Sequence, residues 1–230
     1  MKKIMLINVG AIGSNLLESL LRIKSENIKL DKIIVFDNER VSFLDIKLNA
    51  YEKKFLGEPR CEIAKILYEN KRVKWHTENI TKMKNFEKFV KDSDLIVLCT
   101  ESFALDLHNF VNEICFKNKK PWISARLLNN SGEIGPTVIP HKTSCFRCYE
   151  NRVKSNLGDF HEIDTNEKKY VNLNFGQKII SSYLSLEVLK ILNESPAPLT
   201  YGNVLTVNFG DYSTSLDLIL KAPNCPVCGK

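Results

Sequence analysis

No apolar run in the 230-residue sequence approaches the roughly 18 residues needed to cross a bilayer. The nearest imitation of a targeting segment is Met1-Lys2-Lys3 followed by the apolar stretch Ile4 to Val9. That stretch is too short, and it meets Gly10 and Gly13 instead of a small-residue cleavage site. It therefore reads as a first β-strand, with no membrane anchor, in a cytoplasmic protein. Dense basic blocks are also missing. The formal charge is +6, but 27 acidic residues are mixed among the basic ones, which describes a solvated surface with no nucleic-acid partner. The aromatic residues fall in apparent core strands and do not interleave with basic ones, so a stacking platform for single strands is excluded as well. With no internal repeat and no linker composition, residues 1–230 read as a single domain.

What the chain does have is a regular exchange of apolar strands and amphipathic helices. Ile4 to Val9 runs into the turn Gly10-Ala-Ile-Gly13, and Leu16, Leu17, Leu20 and Leu21 then repeat at helical spacing. Ile33 to Phe36 is a second strand, stopped by Asp37-Asn38 and followed by a polar, irregular connection. Pro59 opens a helix with Ile63, Ile66 and Leu67 on one face. Strands over Val73 to Thr77, over Leu95 to Cys99 and from Pro121 to Ser124 onward alternate with helices over Phe86 to Val90 and Leu105 to Phe116. Such alternation predicts a parallel sheet with crossover helices, its strands buried on both faces.

Residues 1–140 thus form a Rossmann-like half, and 141–230 change character. Glu133 to Pro140 predicts an antiparallel strand leading to a first cysteine pair, and Asn151 to Lys169 a mobile polar loop. A long helix carries Ile180, Leu184, Val188 and Ile191. Alternating strands over Val204 to Phe209 and Ser213 to Leu220 precede a second cysteine pair. The expected fold class is α/β: a Rossmann-like, mostly parallel sheet with an antiparallel C-terminal extension, stapled by a four-cysteine zinc site.

The staple is predicted from two Cys-x-x-Cys pairs, Cys145/Cys148 and Cys225/Cys228. Four thiolates fill the tetrahedral shell of zinc and leave no position for water or substrate, so the metal would be structural. A dithiol redox centre is the competing explanation. Such a motif usually sits at a helix start, whereas both pairs here read as proline- and glycine-flanked loops. Cys61, Cys99 and Cys115 read as buried thiols.

Strand, Gly10-x-x-Gly13, helix is the geometry of a nucleotide phosphate site, because glycine lets backbone approach phosphate and the helix N-terminus supplies amide donors. Asp37, closing the second strand, is placed to accept ribose hydroxyls, although Asn8 replaces the first of the usual three glycines. A nicotinamide oxidoreductase on the same turn lacks an evident acid or base. His108 and His141, the nearest candidates, read as packing or surface histidines.

Together these residues resemble the ThiF/MoeB/ubiquitin-activating superfamily over essentially the whole chain. Asn8-Val-Gly-Ala-Ile-Gly-Ser14 is similar to the glycine-rich adenylate turn, and Asp37-Asn-Glu39-Arg-Val-Ser42 to the Asp-x-Asp-x-Val-x stretch. Gly57-Glu-Pro-Arg60 resembles Gly-x-Pro-Lys, Cys99-Thr-Glu101 resembles Cys-Thr-Asp, and the cysteine pairs stand where these proteins hold zinc. The resemblance implies a homodimer in which active members use ATP and magnesium to adenylate the C-terminal carboxylate of a small protein or peptide. It marks Gly10, Gly13, Asp37, Glu39, Lys47, Arg60 and Glu101 as nucleotide-site residues, with Arg60 and Lys47 toward the triphosphate and Glu101 on magnesium. It also marks losses. The family's Asn-Leu-x-Arg-Gln falls on Asp45 to Asn49, so arginine becomes Leu48 and asparagine becomes Asp45, while a further arginine becomes Asp106. Fewer cations and more carboxylates near a triphosphate imply a degenerate ATP site. No cysteine occurs in Asn151 to Lys169, where members with a covalent sulfur relay carry theirs.

Glu133-Ile-Gly-Pro-Thr-Val-Ile-Pro140 with Ser144-Cys-Phe-Arg-Cys-Tyr-Glu-Asn-Arg152, and the ending Leu220 to Gly229, resemble a narrower group. These are the ThiF-like partners of YcaO enzymes, which recognise or deliver a precursor peptide for thiazole or oxazole formation. Many of them begin with a winged-helix peptide-binding module. This sequence starts at the first strand, so leader recognition is expected on another protein or another surface.

Overall fold

The computed structural model describes residues 2–23, 30–102, 104–128, 130–157, 175–194 and 196–229. Its strands are β1 (Lys2–Ile7), β2 (Leu30–Phe36), β3 (Val73–His76), β4 (Leu95–Thr100), β5 (Trp122–Leu127), β6 (Ser131–Ile134), β7 (Asn203–Asn208) and β8 (Thr214–Leu218). They form one sheet in the order β3-β2-β1-β4-β5-β6-β7-β8. The first five are parallel and the last three join antiparallel.

The helices are α1 (Ala11–Leu21), α2 (Phe43–Lys47), α3 (Arg60–Leu67), α4 (Phe86–Asp92), α5 (Leu105–Lys117), α6 (Phe146–Leu157) and α7 (Gly176–Asn193). Successive strand residues point to opposite faces, and in β1 both faces are core. Ile4 and Leu6 pack with Leu16 and Leu20 of α1 and with Ile180 and Leu184 of α7. Met5 and Ile7 pack with Phe86 of α4, Val111 of α5 and Phe146 of α6. That double burial is why the strand shows no polar alternation.

Four expectations need correction. The connection after Asp37 is not irregular, because it holds α2, whose N-terminus is closed by a capping box between Ser42 and Asp45. The buried face of α3 is Arg60, Cys61, Ile63 and Ala64, while Ile66 and Leu67 are 70% and 46% exposed. Arg60 takes interior space that apolar periodicity assigned elsewhere. The strand expected over Glu133 to Pro140 ends at Ile134. Beyond it Pro136 has no N–H to give, and Thr137 and Val138 make only isolated bridges, to Tyr201 and Trp122. Residues 151–157 of the expected loop belong to α6, and the remainder of that loop lies outside the described residues. No helix among the described residues is long and apolar enough to cross a membrane.

Candidate nucleotide turn, acidic cleft and cysteine cluster

β1 and β4 are neighbours from which the chain departs to opposite sides of the sheet, the switch point where open α/β sheets receive ligands. Asn8 leaves β1 with φ 68°. The left-handed region is tolerated by glycine and, among other residues, best by asparagine, so Asn8 keeps the turn in the place of the usual glycine. Gly13 is required for contact: a Cβ there would lie 2.0 Å from the Asn8 carbonyl oxygen.

Asp37 is fixed by the same turn. Its two carboxylate oxygens accept from Val9 N–H and Glu39 N–H, each at 2.8 Å. Burial pushes its carboxyl above the usual range, and Arg60 with these two amides pulls part of that back. The Tyr51 hydroxyl donates to the Val9 carbonyl at 2.6 Å and holds the turn from behind.

Arg60 is buried among carboxylates. Its guanidinium lies 3.6 Å from Asp37 and 3.4 Å from Asp45, and it also bonds Glu39. Burial pulls down its hold on the proton, but the surrounding carboxylates outweigh that. Leu48, where the resemblance expects an arginine, is packed in the core, and Lys47 is exposed at the end of α2. Glu101, at the end of β4, is partly buried and accepts from Ile12 N–H of α1 at 3.1 Å. Burial pushes its carboxyl up to about 7, against the pull of Arg60 and the Ile12 amide.

A cleft of about 1390 Å³ opens over this turn and runs to α5 and α6. Asp37, Glu39 and Glu101 line it, whereas Gly10, Gly13, Lys47 and Arg60 do not. Among the described residues its wall carries eight carboxylates against two cations, Arg147 and Lys154. Both cations already bind Glu150, at 2.7 and 2.8 Å, and Asn109 donates to the same carboxylate at 3.1 Å. Burial alone would raise Glu150, but Lys154, Asn109 and Arg147 together hold it below the ordinary range. Asp106 lines the cleft and is exposed.

Sequence reasoning missed one cluster behind this wall. Arg126 of β5 bonds Glu133 and the Tyr149 hydroxyl, and that hydroxyl donates to Glu133 at 2.9 Å. A charged residue inside the apolar run Trp122–Leu127 needs a partner, and Glu133 is its partner in register on β6. His108 is fully buried and stacks on Phe146 at 4.7 Å, so it is a packing residue. Burial, helped by Arg126, lowers its pKa to about 3.

On the far side of α6 the four paired cysteines converge. Their sulfurs lie within 4.8 Å of one another, with Cys145–Cys225 at 3.5 Å, Cys148–Cys228 at 3.3 Å and Cys145–Cys148 at 4.0 Å. Four ligands about 2.3 Å from a tetrahedral zinc would stand about 3.8 Å apart, so the donor set fits that ion. Ala222 N–H donates to the Cys148 sulfur at 3.3 Å, and a Cβ at Gly229 would lie 2.6 Å from Cys225 N, which explains the glycine in the second turn. Burial raises the Cys225 thiol, but the amides of Cys228 and Val227 outweigh it and hold it at about 7. Cys148 lies in the first turn of α6, not in a loop as expected. The convergence of all four sulfurs, not loop placement, favours a metal over a redox pair. Cys61, Cys99 and Cys115 are buried, as expected.

The sequence model of the ThiF family matches residues 1–227. The chain belongs to the ThiF family. Ubiquitin-like modifier-activating enzyme 5 of Caenorhabditis elegans is 26% identical, over 83% of this chain and 48% of its own length. The chain thus spans about half of that relative. Among solved structures, E. coli MccB with MccA-N7isoASN superposes with a TM-score of 0.78 at 20% identity, covering 100% of this chain and 67% of MccB. E. coli MccB with ATP gives 0.76 at 22% identity, over 99% and 67%. At these identities the MccB likeness is one of fold. What is shared is the fold, on which this chain's own side chains set the chemistry.

Proposed function

We propose that this ThiF-family chain is a zinc-stapled component of a peptide-modification pathway, built on the adenylating fold but with a degenerate ATP site. The observation that carries this reading is the charge of the cleft: among the described residues, eight carboxylates line it against two cations already bound to Glu150. Preorganised positive charge is what stabilises a transferring phosphoryl group. Here Arg60 is spent on Asp37, Asp45 and Glu39, and Leu48 is core.

In this reading Gly10, Gly13, Asp37 and Glu39 keep the shape of the nucleotide turn. Lys47, Arg60 and Glu101 are the altered remnants of the triphosphate and magnesium contacts. The cleft running to α5 and α6 is the peptide surface, and support comes from the MccB structures in complex with forms of MccA, which share the fold. The partner is a YcaO-type enzyme acting on a precursor peptide, and the chain is a homodimer. Exposed Leu216 and Leu218 on β8, with Leu186 on α7, supply an apolar surface for that dimer. Residues 1–230 act as one domain holding structural zinc on Cys145, Cys148, Cys225 and Cys228.

ATP–pyrophosphate exchange with a peptide carboxylate tests the proposal, with heterocycle formation by the YcaO-type enzyme measured in parallel. No exchange, together with faster heterocycle formation when the chain is added, is expected. Robust exchange would favour the second reading, an active ATP- and magnesium-dependent adenylating enzyme acting on a small protein or peptide. That second reading draws on the ubiquitin-activating relatives and on the ATP-bound MccB structure.

A further inference from the structure

The first turn of α1 is where a nucleotide phosphate would sit if the glycine turn is the nucleotide end proposed above. That place already holds a carboxyl group, which is an anion above about pH 7. The Glu101 carboxylate accepts from Ile12 N–H at 3.1 Å. It also lies against the face of Gly10: a Cβ built there would be 2.5 and 2.6 Å from its two oxygens. The space that glycine leaves for an incoming oxyanion is therefore filled by the carboxyl oxygens of a side chain just beyond β4.

We propose that Glu101 is the specificity-determining residue of this turn: it acts as an internal stand-in for phosphate and excludes free anions from the α1 amides. Two features make the seat selective. An incoming anion must displace a carboxylate that has its own hydrogen bond. The displaced carboxylate then remains beside Asp37 and Asp45, where Arg60 offsets part of the negative charge. The length of the side chain matters as well, because an aspartate would end about 1.5 Å short of the same amide.

The test is calorimetric titration of magnesium-free pyrophosphate into the full chain and into E101A, E101D and E101Q. Perturbation of the Ile12 amide resonance reports where the anion lands. E101A is expected to bind at least tenfold more tightly than the wild type, with the Ile12 amide shifting. E101D, which keeps the charge but draws it back, should also gain, and E101Q, which keeps the length, should gain least. If E101A and E101D show no tightening, or if E101Q gains as much as E101A while E101D gains nothing, the proposal is overturned. The latter pattern would mean bulk charge, not occupancy, governs the site. Repeating the titration with ATP separates this proposal from the nucleotide reading. Pyrophosphate binding to E101A at Ile12 without any ATP binding would sustain the internal anion and remove the nucleotide. Tight ATP binding to the wild type, with no gain in E101A, would do the reverse.

Discussion

An alanine at Gly13 would place its methyl carbon 2.0 Å from the Asn8 carbonyl oxygen, and backbone cannot move aside as a side chain can. G13A is expected to lose about 1–3 kcal/mol or more by the overpacking route, read as a lower urea midpoint. Glu101 carries the second prediction at this scale. Its folded pKa of about 7 lies above the ordinary 4.5. Its stabilising contribution is therefore complete below about pH 4.5 and lost as pH rises through about 7. E101Q should remove that loss and be more stable than the wild type at pH 8 by on the order of 2 kcal/mol, with little gain at pH 5. Urea unfolding at the two pH values checks it, and equal gains at both would contradict it. The candidate residues were legible because spacing and family pattern name positions. Their partners were not: sequence carries neither the left-handed backbone angle that lets Asn8 replace a glycine nor the Asp37 and Asp45 carboxylates that surround Arg60.

At the scale of elements, the strands and helices of the parallel half follow from apolar periodicity, because they are buried on both faces or along one stripe. α2 was hidden because it is five residues long and held by a cap, with only Asp45 buried. The face of α3 was misplaced because a buried arginine carries no hydrophobic signal. The cysteine pairs were legible through spacing alone, though their seat on α6 was not. If they hold zinc, the ion joins the start of α6 to the C-terminal turn. Chelation at neutral pH should then release one equivalent of zinc and lower the melting temperature by about 10 °C or more, given the roughly 10–16 kcal/mol such sites supply in small peptides. C225S should reproduce the loss without chelator. A purified chain with no zinc and an unchanged melting temperature would contradict the staple.

The whole molecule combines a formal charge of +6 with a carboxylate-rich cleft, so net charge describes its surface and not its site. The sheet order explains why that cleft was invisible in the sequence: its walls come from the ends of β1, β2 and β4 and from α5 and α6, brought together only by the crossovers. On the outer edge, Leu216 lies opposite Leu205 in register, so Leu216 and Leu218 extend the face covered elsewhere by α7. They are 47% and 59% exposed. The proposed homodimer predicts that L216K combined with L218K shifts sedimentation from dimer to monomer. An unchanged sedimentation coefficient would place the interface elsewhere.

On the proposed function, this ThiF-family chain surrounds its own glycine turn with negative charge. Calorimetric titration of ATP with magnesium into the wild-type chain tests it most directly. A dissociation constant weaker than about 1 mM, equivalent to less than about 4 kcal/mol of binding, is predicted. Saturable binding in the low micromolar range would contradict it.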